Sequence, residues 1–326
     1  MTRPIPQPPV FGRPARAVGL WRATPPAIFP PILGLFGLGL AWRRGADVLG
    51  LPGGISEAML GAVSLLFWFA VLAYLAKVVR RPGVVVEDIA ILPGRAGIAA
   101  ASLALTLQAA TLVPYAPGLA FALALVGLGT HIALAAYLIR FFLTGAPERR
   151  VVTPVWHLSF VGFILGPLVW IPLGQNVLAV SILAMTLPIA FAIWTASALQ
   201  FMRRVPPAPL RPLLAIHLAP ASLFAIVLSD LGLPDYAGGF AALAIAILLL
   251  LAVGLRWMTE TGFSAMWGAF TFPLAACTSA VLAQGWALPG AMLLVVASAA
   301  VLHIAIKVMK SWADGGLAAK SNAAVA

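Results

Sequence analysis

Residues 266–279 read MWGAFTFPLAACTS and lie inside a stretch, 262–285, that carries one glutamine and no charged side chain. About 20 apolar residues are enough for a helix to cross a bilayer, so this stretch predicts a membrane-spanning helix. Pro273 nevertheless stands in its middle, directly after Phe272. Proline removes a backbone hydrogen bond and clashes with the preceding turn, at a cost of about 3 kcal/mol in an ordinary helix. The sequence therefore predicts a membrane helix that is interrupted at Pro273.

The whole chain has the composition of a membrane protein. Of its 326 residues 62% are hydrophobic and 9% are charged, whereas about 25% are charged in an ordinary soluble domain. We therefore expect an all-α integral membrane protein with ten transmembrane helices in one domain, residues 24–311, between cytoplasmic segments 1–23 and 312–326. Ten apolar runs carry this expectation: 24–42, 57–76, 91–112, 118–139, 155–174, 177–202, 212–231, 236–255, 262–285 and 287–306.

The basic residues predict the orientation of these spans. With ten spans, 17 of the 20 Lys and Arg residues fall on the side that holds both termini. Basic residues are enriched in cytoplasmic loops, so both termini are expected in the cytoplasm, and the net charge of +11 is explained by topology rather than by nucleic-acid binding. The N-terminus lacks the apolar core and cleavage site of a removable signal peptide.

Prolines are unevenly distributed between the odd and the even predicted spans. Every odd span contains one near its start or middle, whereas among the even spans only span 6, with Pro188, has an interior proline. Broken backbone in a membrane is tolerated where it is buried in protein or faces water. This pattern favours five helical hairpins, with an inner ring of kinked odd helices around a central pore and an outer ring of even helices; the alternative is the general enrichment of proline in membrane helices. The predicted kinks are at Pro31, Pro93, Pro167, Pro220 and Pro273.

Small residues and two histidines add pore-lining candidates on the odd spans. Gly34 and Gly166 let helices approach closely and would leave room along an axis, although packing alone also explains them. His157 and His217 stand near the cytoplasmic ends of spans 5 and 7. They are candidates for protonation near the axis, and the alternative is that they are hydrogen-bonded packing residues.

Residues that would support catalysis or metal binding are missing from the pattern. All nine acidic residues lie in loops or at span ends, and there is no zinc-protease, P-loop or nucleophile-elbow motif. One cysteine, Cys277, excludes an internal disulfide and a multi-cysteine metal site. We expect no enzyme activity, no catalytic residue, no cofactor and no metal.

A pore wall of small and aromatic residues favours weakly hydrated anions, because a cation finds no carboxylate to replace its water. Arg95 either adds positive potential at the mouth of the pore or is an ordinary interfacial arginine.

The arrangement of four segments resembles the tellurite-resistance protein A family, which includes dicarboxylate carriers and the plant slow-type anion channels. The segments are ILGLFGLGLAWRRG (32–45), TPVWHLSFVGFILG (153–166), HLAPASLFAIV (217–227) and WGAFTFPLAA (267–276). The resemblance covers nearly the whole chain. It implies five inner helices around a pore, a homotrimer, and a bacterial inner-membrane location. Leu92 stands where family members often have a histidine before the proline of span 3, so no role is expected for a histidine there.

The resemblance also implies a gate. A phenylalanine of span 9 plugs the pore in that family, and Phe272 occupies the matching position. The alternatives are that Phe272 is a packed core aromatic, or that Phe270 is the plug, although two residues along a helix place Phe270 about 200° away around its axis. Phe36, Phe163 and Phe224 are candidates to flank the plug.

Two functions follow as expectations. The first is a gated channel that conducts small monovalent anions through a pore closed by Phe272. The alternative is a secondary carrier that exports organic anions such as malate or sulfite, or a transporter that confers tellurite resistance. In this alternative His157 or His217 is a candidate for coupling transport to protons. A structural scaffold is disfavoured, because breaks in helices cost stability. The expected partners are inorganic or small organic anions and membrane lipid.

Overall fold

The computed structural model describes residues 19–326, and these residues are almost entirely helical, with no β-strand among them. The predicted N-terminal segment 1–23, with the absence of a signal peptide, falls largely outside the described residues. The α-helices are α1 Phe29–Leu49, α2 Gly53–Arg80, α3 Val84–Ala90, α4 Leu92–Leu112, α5 Pro117–Thr144, α6 Pro167–Trp170, α7 Asn176–Arg203, α8 Leu218–Asp230, α9 Pro234–Val253, α10 Leu255–Met258, α11 Gly268–Ala283, α12 Ala287–Ala313 and α13 Gly316–Lys320.

Tighter or wider helical turns precede several α-helices. A π-helical turn, His157–Val161, leads into the 3-10 helix Gly162–Leu165 before α6. A ten-residue 3-10 helix, Ala208–His217, precedes α8, and a shorter one, Ala265–Trp267, precedes α11. The remaining 3-10 turns are Pro26–Ile28 and Pro147–Arg150.

Nine helices among the described residues are long and apolar enough to cross a membrane. The predicted fifth span appears as a shorter apolar segment, His157–Trp170, in which π, 3-10 and α turns follow one another. The all-α membrane fold is therefore confirmed, and the count of ten membrane-crossing helices stays a prediction.

Burial separates the membrane segments into two classes. Four of the five odd segments are long enough to compare, and 67 to 83% of their most apolar windows are buried, against 17 to 33% for the even helices. We call the odd segments inner segments and the even helices outer helices. The inner segments one to five are Pro26–Leu49, Leu92–Leu112, His157–Trp170, Ala208–Asp230 and Ala265–Ala283; the outer helices are α2, α5, α7, α9 and α12.

The inner segments contact one another in a closed cycle. Segment one packs against segments two and five, segment three against segments two and four, and segment four against segment five. Each inner segment also packs against the outer helix that follows it in the chain. These contacts are compatible with five hairpins whose first members form an inner ring.

Outer helices are apolar on all sides because they face two apolar environments. Large side chains on α2 such as Leu65 and Leu72 are exposed at 77% and 60%, whereas Leu60 and Phe67 are buried against the inner segments. An exposed apolar surface of this extent suits contact with lipid chains rather than water.

Candidate functional site: a cavity enclosed by the five inner segments

One cavity among the described residues is lined by side chains from all five inner segments. Every residue that lines it is apolar. Its lining includes Pro30 and Leu33 from segment one, Pro93, Ala96 and Ala100 from segment two, Leu158 from segment three, Leu213, Ile216 and Ala219 from segment four, and Met266, Ala269 and Phe272 from segment five.

The cavity lies at one end of the bundle. Its lining residues come from the N-terminal halves of the inner segments, and Phe272 with Pro273 are the lining residues farthest along segment five. The first turns of three inner segments border it, at Ala27, Pro93 and Ala265. Since the N-terminus of a helix carries the positive end of its dipole, these three segments place positive potential beside a space without formal charge.

Phe272 is a buried residue at the inner end of this cavity, with 6% of its surface exposed. Its ring lies against α1, where a Cβ on Gly37 would stand 3.0 Å from Cδ2 of Phe272. One turn earlier, a Cβ on Gly34 would stand 2.2 Å from Oγ1 of Thr271. Segments one and five therefore cross at a point where only glycine fits, and this crossing fixes the position of the Phe272 ring. Gly34 packs there against a helix and does not line the cavity.

Pro273 lies inside α11, which continues through it from Gly268 to Ala283, so a kink at Pro273 stays a prediction. The other four prolines begin α-helical segments: Pro31 and Pro93 lie in the first turns of α1 and α4, Pro167 starts α6, and Pro220 is the third residue of α8. A first-turn N–H has no partner within its own α-helix, so proline removes no hydrogen bond of that helix at these positions. Irregular π and 3-10 turns lie just before Pro167 and Pro220, and the kinks at the four prolines stay predictions.

Phe36 and Phe224 do not line the cavity. Phe36 is fully buried and its ring centre lies 5.7 Å from that of Phe67 on α2, while the ring centre of Phe224 lies 5.3 Å from that of Phe240 on α9. Both therefore pack between an inner segment and an outer helix. The expectation that they flank a plug is not supported by their positions.

Phe163 and Gly166 line a second, smaller cavity between α4, α5 and segment three. The ring centre of Phe163 lies 4.5 Å from that of His131 on α5. A Cβ on Gly166 would stand 2.8 Å from Nε1 of Trp170, so this glycine makes room for a neighbouring side chain.

The two predicted histidines meet between segments three and four. Nε2 of His157 and Nδ1 of His217 are 3.0 Å apart, so one ring donates a hydrogen bond to the other. Trp194 on α7 donates its indole N–H to the carbonyl of His217 at 3.2 Å. The histidines do not line the cavity, but Leu158 and Ile216, their chain neighbours, do. Movement at the histidine pair would therefore reach the cavity wall directly.

Charged side chains lie at the ends of the bundle. Arg95 is buried and donates to the carbonyl of Ile89 at 3.1 Å. Its Cζ lies 5.2 and 5.1 Å from the ring centres of Phe141 and Phe142. Arg95 therefore packs on these rings and does not line the cavity. Toward the opposite end, Arg43 pairs with Glu57 at 2.7 Å and Arg44 with Asp230 at 3.0 Å. No group of three His, Cys, Asp or Glu residues in the part of the chain that the structure describes is arranged to hold a metal ion.

Most lining residues were missed by sequence reasoning. Leu33, Ala100 and Ala219 carry no distinguishing side chain, and Pro30 lines the cavity instead of the singled-out Pro31. Their distance from proline could have predicted their place at the cavity, because each of the three lies within about two helical turns of a proline on an odd span.

Comparison with protein families adds an independent finding. Residues 23–309 match the model of the voltage-dependent anion channel family. This range contains eight of the nine long apolar helices in full and most of the ninth. No curated protein matches the chain at a significant level. Because the family match covers most of the sequence, and because the fold is that of a multi-pass membrane protein, the chain belongs to the voltage-dependent anion channel family.

Proposed function

We propose that this protein is a gated channel for small monovalent anions and that the ring of Phe272 is the gate. The family match supports anion transport in general. The position of Phe272 supports the more specific proposal, since Phe272 lines a cavity to which all five inner segments contribute.

The character of the cavity favours anions over cations. Its wall contains no carboxylate and no other charged side chain, so a cation that leaves water gains no replacement ligand. The N-termini of the three inner segments that begin beside it supply positive potential. A weakly hydrated anion loses less solvation on entry and meets a favourable potential. Chloride, nitrate and similar ions fit this description.

The gate assignment is tested by recording purified protein in planar bilayers with symmetric potassium chloride. We expect little current from the wild type and a large current from Phe272→Ala, with a reversal potential near that of chloride when one compartment is diluted. Phe270→Ala is the matched control, because Phe270 loses the same ring from the same helix but packs on Trp267, 6.0 Å between ring centres. Equal currents from wild type and Phe272→Ala would reject Phe272 as the gate.

A second candidate is a carrier that exports an organic anion together with protons. The hydrogen bond between His157 and His217 favours it, because this pair can exchange protons beside the cavity. Counterflow of labelled malate in proteoliposomes separates the two functions. A carrier accelerates uptake when unlabelled substrate is present on the opposite side, whereas a channel does not.

Location and assembly belong to the same proposal. The distribution of basic residues supports a cytoplasmic location for both termini, and the family resemblance supports the bacterial inner membrane and a homotrimer. Native mass spectrometry of the protein in detergent tests the trimer, and a reporter enzyme fused after residue 326 tests the side of the C-terminus.

A further inference from the structure

The C-terminal residues 316–326, which we call the strap, fold back onto the end of the bundle that contains the cavity. Gly315 adopts φ +73°, a left-handed conformation that lets the chain reverse after α12. Leu317 and Ser321 of the strap are buried, with 1% and 2% of their surfaces exposed. The helix of the strap, α13, packs against the turn Pro26–Ile28 at the start of inner segment one. The strap is therefore a packed part of the fold.

Asp88 is the centre of the strap's attachment. The backbone N–H of Ala324 donates to Oδ1 of Asp88 at 2.9 Å. Oδ2 of Asp88 accepts from Lys77 Nζ at 2.7 Å and from the hydroxyl of Tyr74 at 3.0 Å. The side chains of Lys77 and Asp88 are both fully buried. The strap thus supplies one of the three hydrogen bonds that satisfy a buried carboxylate.

Two further hydrogen bonds hold the end of the strap. Arg81 donates from Nε to the carbonyl of Val325 at 3.0 Å, and the N–H of Ala326 donates to the carbonyl of Arg22 at 2.9 Å. Glu87 accepts from the same guanidinium at 2.7 Å, and this hydrogen bond lowers the pKa of the Glu87 carboxyl. Glu87 therefore stays ionised and keeps Arg81 oriented toward the strap near neutral pH.

The same junction supports two inner segments where they line the cavity. Lys77 Nζ also donates to the carbonyl of Thr24 at 3.1 Å, just before segment one. Backbone packs on backbone beside it: a Cβ on Gly94 would stand 2.1 Å from the carbonyl oxygen of Asp88, and one on Gly97 would stand 2.2 Å from that of Pro26. Ala27 and Ala96, which line the cavity, lie within three residues of these contacts. The spacing of segments one and two at the cavity therefore depends on the Asp88 junction.

We propose that the strap is a regulatory element that keeps the cavity mouth between inner segments one and two narrow, and that its release widens the mouth and increases anion conduction. This inference rests on the proposed channel function. Ala324 is the releasable contact, because Lys77 and Tyr74 can continue to bind Asp88 when the strap leaves.

Ala324→Pro tests this proposal with one substitution in the full chain, since proline has no N–H to donate to Asp88. Asn322→Gly is the matched control, because Asn322 is exposed, has φ +50°, and keeps its N–H as glycine. Ser321→Cys reports on docking with a membrane-impermeant maleimide. The only native cysteine, Cys277, is fully buried and gives a low background. We expect at least tenfold faster labelling of Ser321→Cys when Ala324→Pro is added, and no change with Asn322→Gly.

Ala96→Cys reports on the cavity mouth without requiring current. Ala96 is 6% exposed in the strapped structure, and we expect Ala324→Pro to raise its labelling rate severalfold. In the Phe272→Ala background we also expect Ala324→Pro to increase single-channel conductance at least twofold.

Each failure has a separate meaning. Unchanged labelling of Ser321→Cys would show that Asp88 does not hold the strap, and faster labelling there without any change at Ala96→Cys would show that the strap is only structural; both results overturn the proposal. Silence of Phe272→Ala would count against the gated channel alone, because the Ala96→Cys labelling still decides whether the strap controls the mouth.

Discussion

The ring of Phe272 lies so close to Gly37 that an added methyl group would require the ring to shift by a few tenths of an ångström. A Cβ on Gly37 would stand 3.0 Å from Cδ2 and 3.2 Å from Cε2 of the ring. Contacts of 3.0 Å between carbons lie well inside the optimal separation of about 3.5–4.0 Å. The closed position of the proposed gate is therefore defined from the opposite helix.

Gly37→Ala is expected to displace the Phe272 ring and raise the basal anion current. The added methyl group occupies the space against which the ring rests and so displaces the ring. The current of Gly37→Ala should therefore be larger than that of the wild type and smaller than that of Phe272→Ala. Planar-bilayer recording measures it. In the Phe272→Ala background, Gly37→Ala should add nothing, since the ring it displaces is absent. A Gly37→Ala current equal to that of the wild type would contradict this role.

Gly34→Ala is expected to destabilise the fold, because its methyl group would overlap the side chain of Thr271 and approach the backbone nitrogen of Phe272 to 3.0 Å. Overpacking of this kind costs about 1–3 kcal/mol. Thermal unfolding in detergent should therefore show a lower midpoint.

Gly61→Ala is the control for this prediction. Gly61 lies inside α2, is exposed, and has no atom within 4 Å of an added Cβ. Replacing a glycine inside a helix with alanine favours folding by about 0.5–1 kcal/mol. A midpoint for Gly34→Ala that matches that of Gly61→Ala would show that segments one and five adjust freely at their crossing.

The inner and outer classes of helix could be predicted from sequence because the prolines concentrate on the inner segments. Irregular backbone, such as the turns before Pro167 and Pro220, is tolerated in a membrane where it is buried in protein, and a lipid-facing helix offers no such burial. The place of Phe272 at the cavity could be predicted from the family resemblance and from Pro273 beside it. The buried fractions of the inner segments agree with this assignment.

Side-chain direction could not be predicted in the same way. The parts of segments one and four around Phe36 and Phe224 are apolar on every face. Periodicity therefore does not distinguish these two phenylalanines, which face outer helices, from Leu33 and Ala219, which line the cavity. The Lys77–Asp88 pair was also beyond sequence reasoning. Both residues stand near loops in the sequence, and only the packing of the strap, segment one and α2 around them makes their burial evident.

Lys77→Met is expected to be strongly destabilising. It leaves the Asp88 carboxylate buried without its cation, and losing one partner of a buried ion pair typically costs about 3–5 kcal/mol. Unfolding in mixed detergent with increasing SDS measures the loss.

Adding Asp88→Asn to Lys77→Met should recover part of this stability. Asparagine removes the unpaired charge and still offers an oxygen to Tyr74 or to the N–H of Ala324. A double variant that is less stable than Lys77→Met alone would show that charge is not the source of the destabilisation.

The His157–His217 hydrogen bond predicts a pH-dependent current. One imidazole nitrogen must donate and the other accept at their 3.0 Å separation, so protonating both rings breaks the bond and places two like charges between segments three and four. Both effects push the segments apart beside Leu158 and Ile216 of the cavity wall, and the added positive charge attracts anions. The current through Phe272→Ala channels should therefore rise as the pH falls through the range in which these imidazoles titrate.

His157→Gln, which keeps hydrogen-bonding groups but cannot be protonated, should flatten this response, whereas His303→Gln on the exposed face of α12 should not. A pH response that persists in His157→Gln and in His157→Gln/His217→Gln would place its origin at other groups.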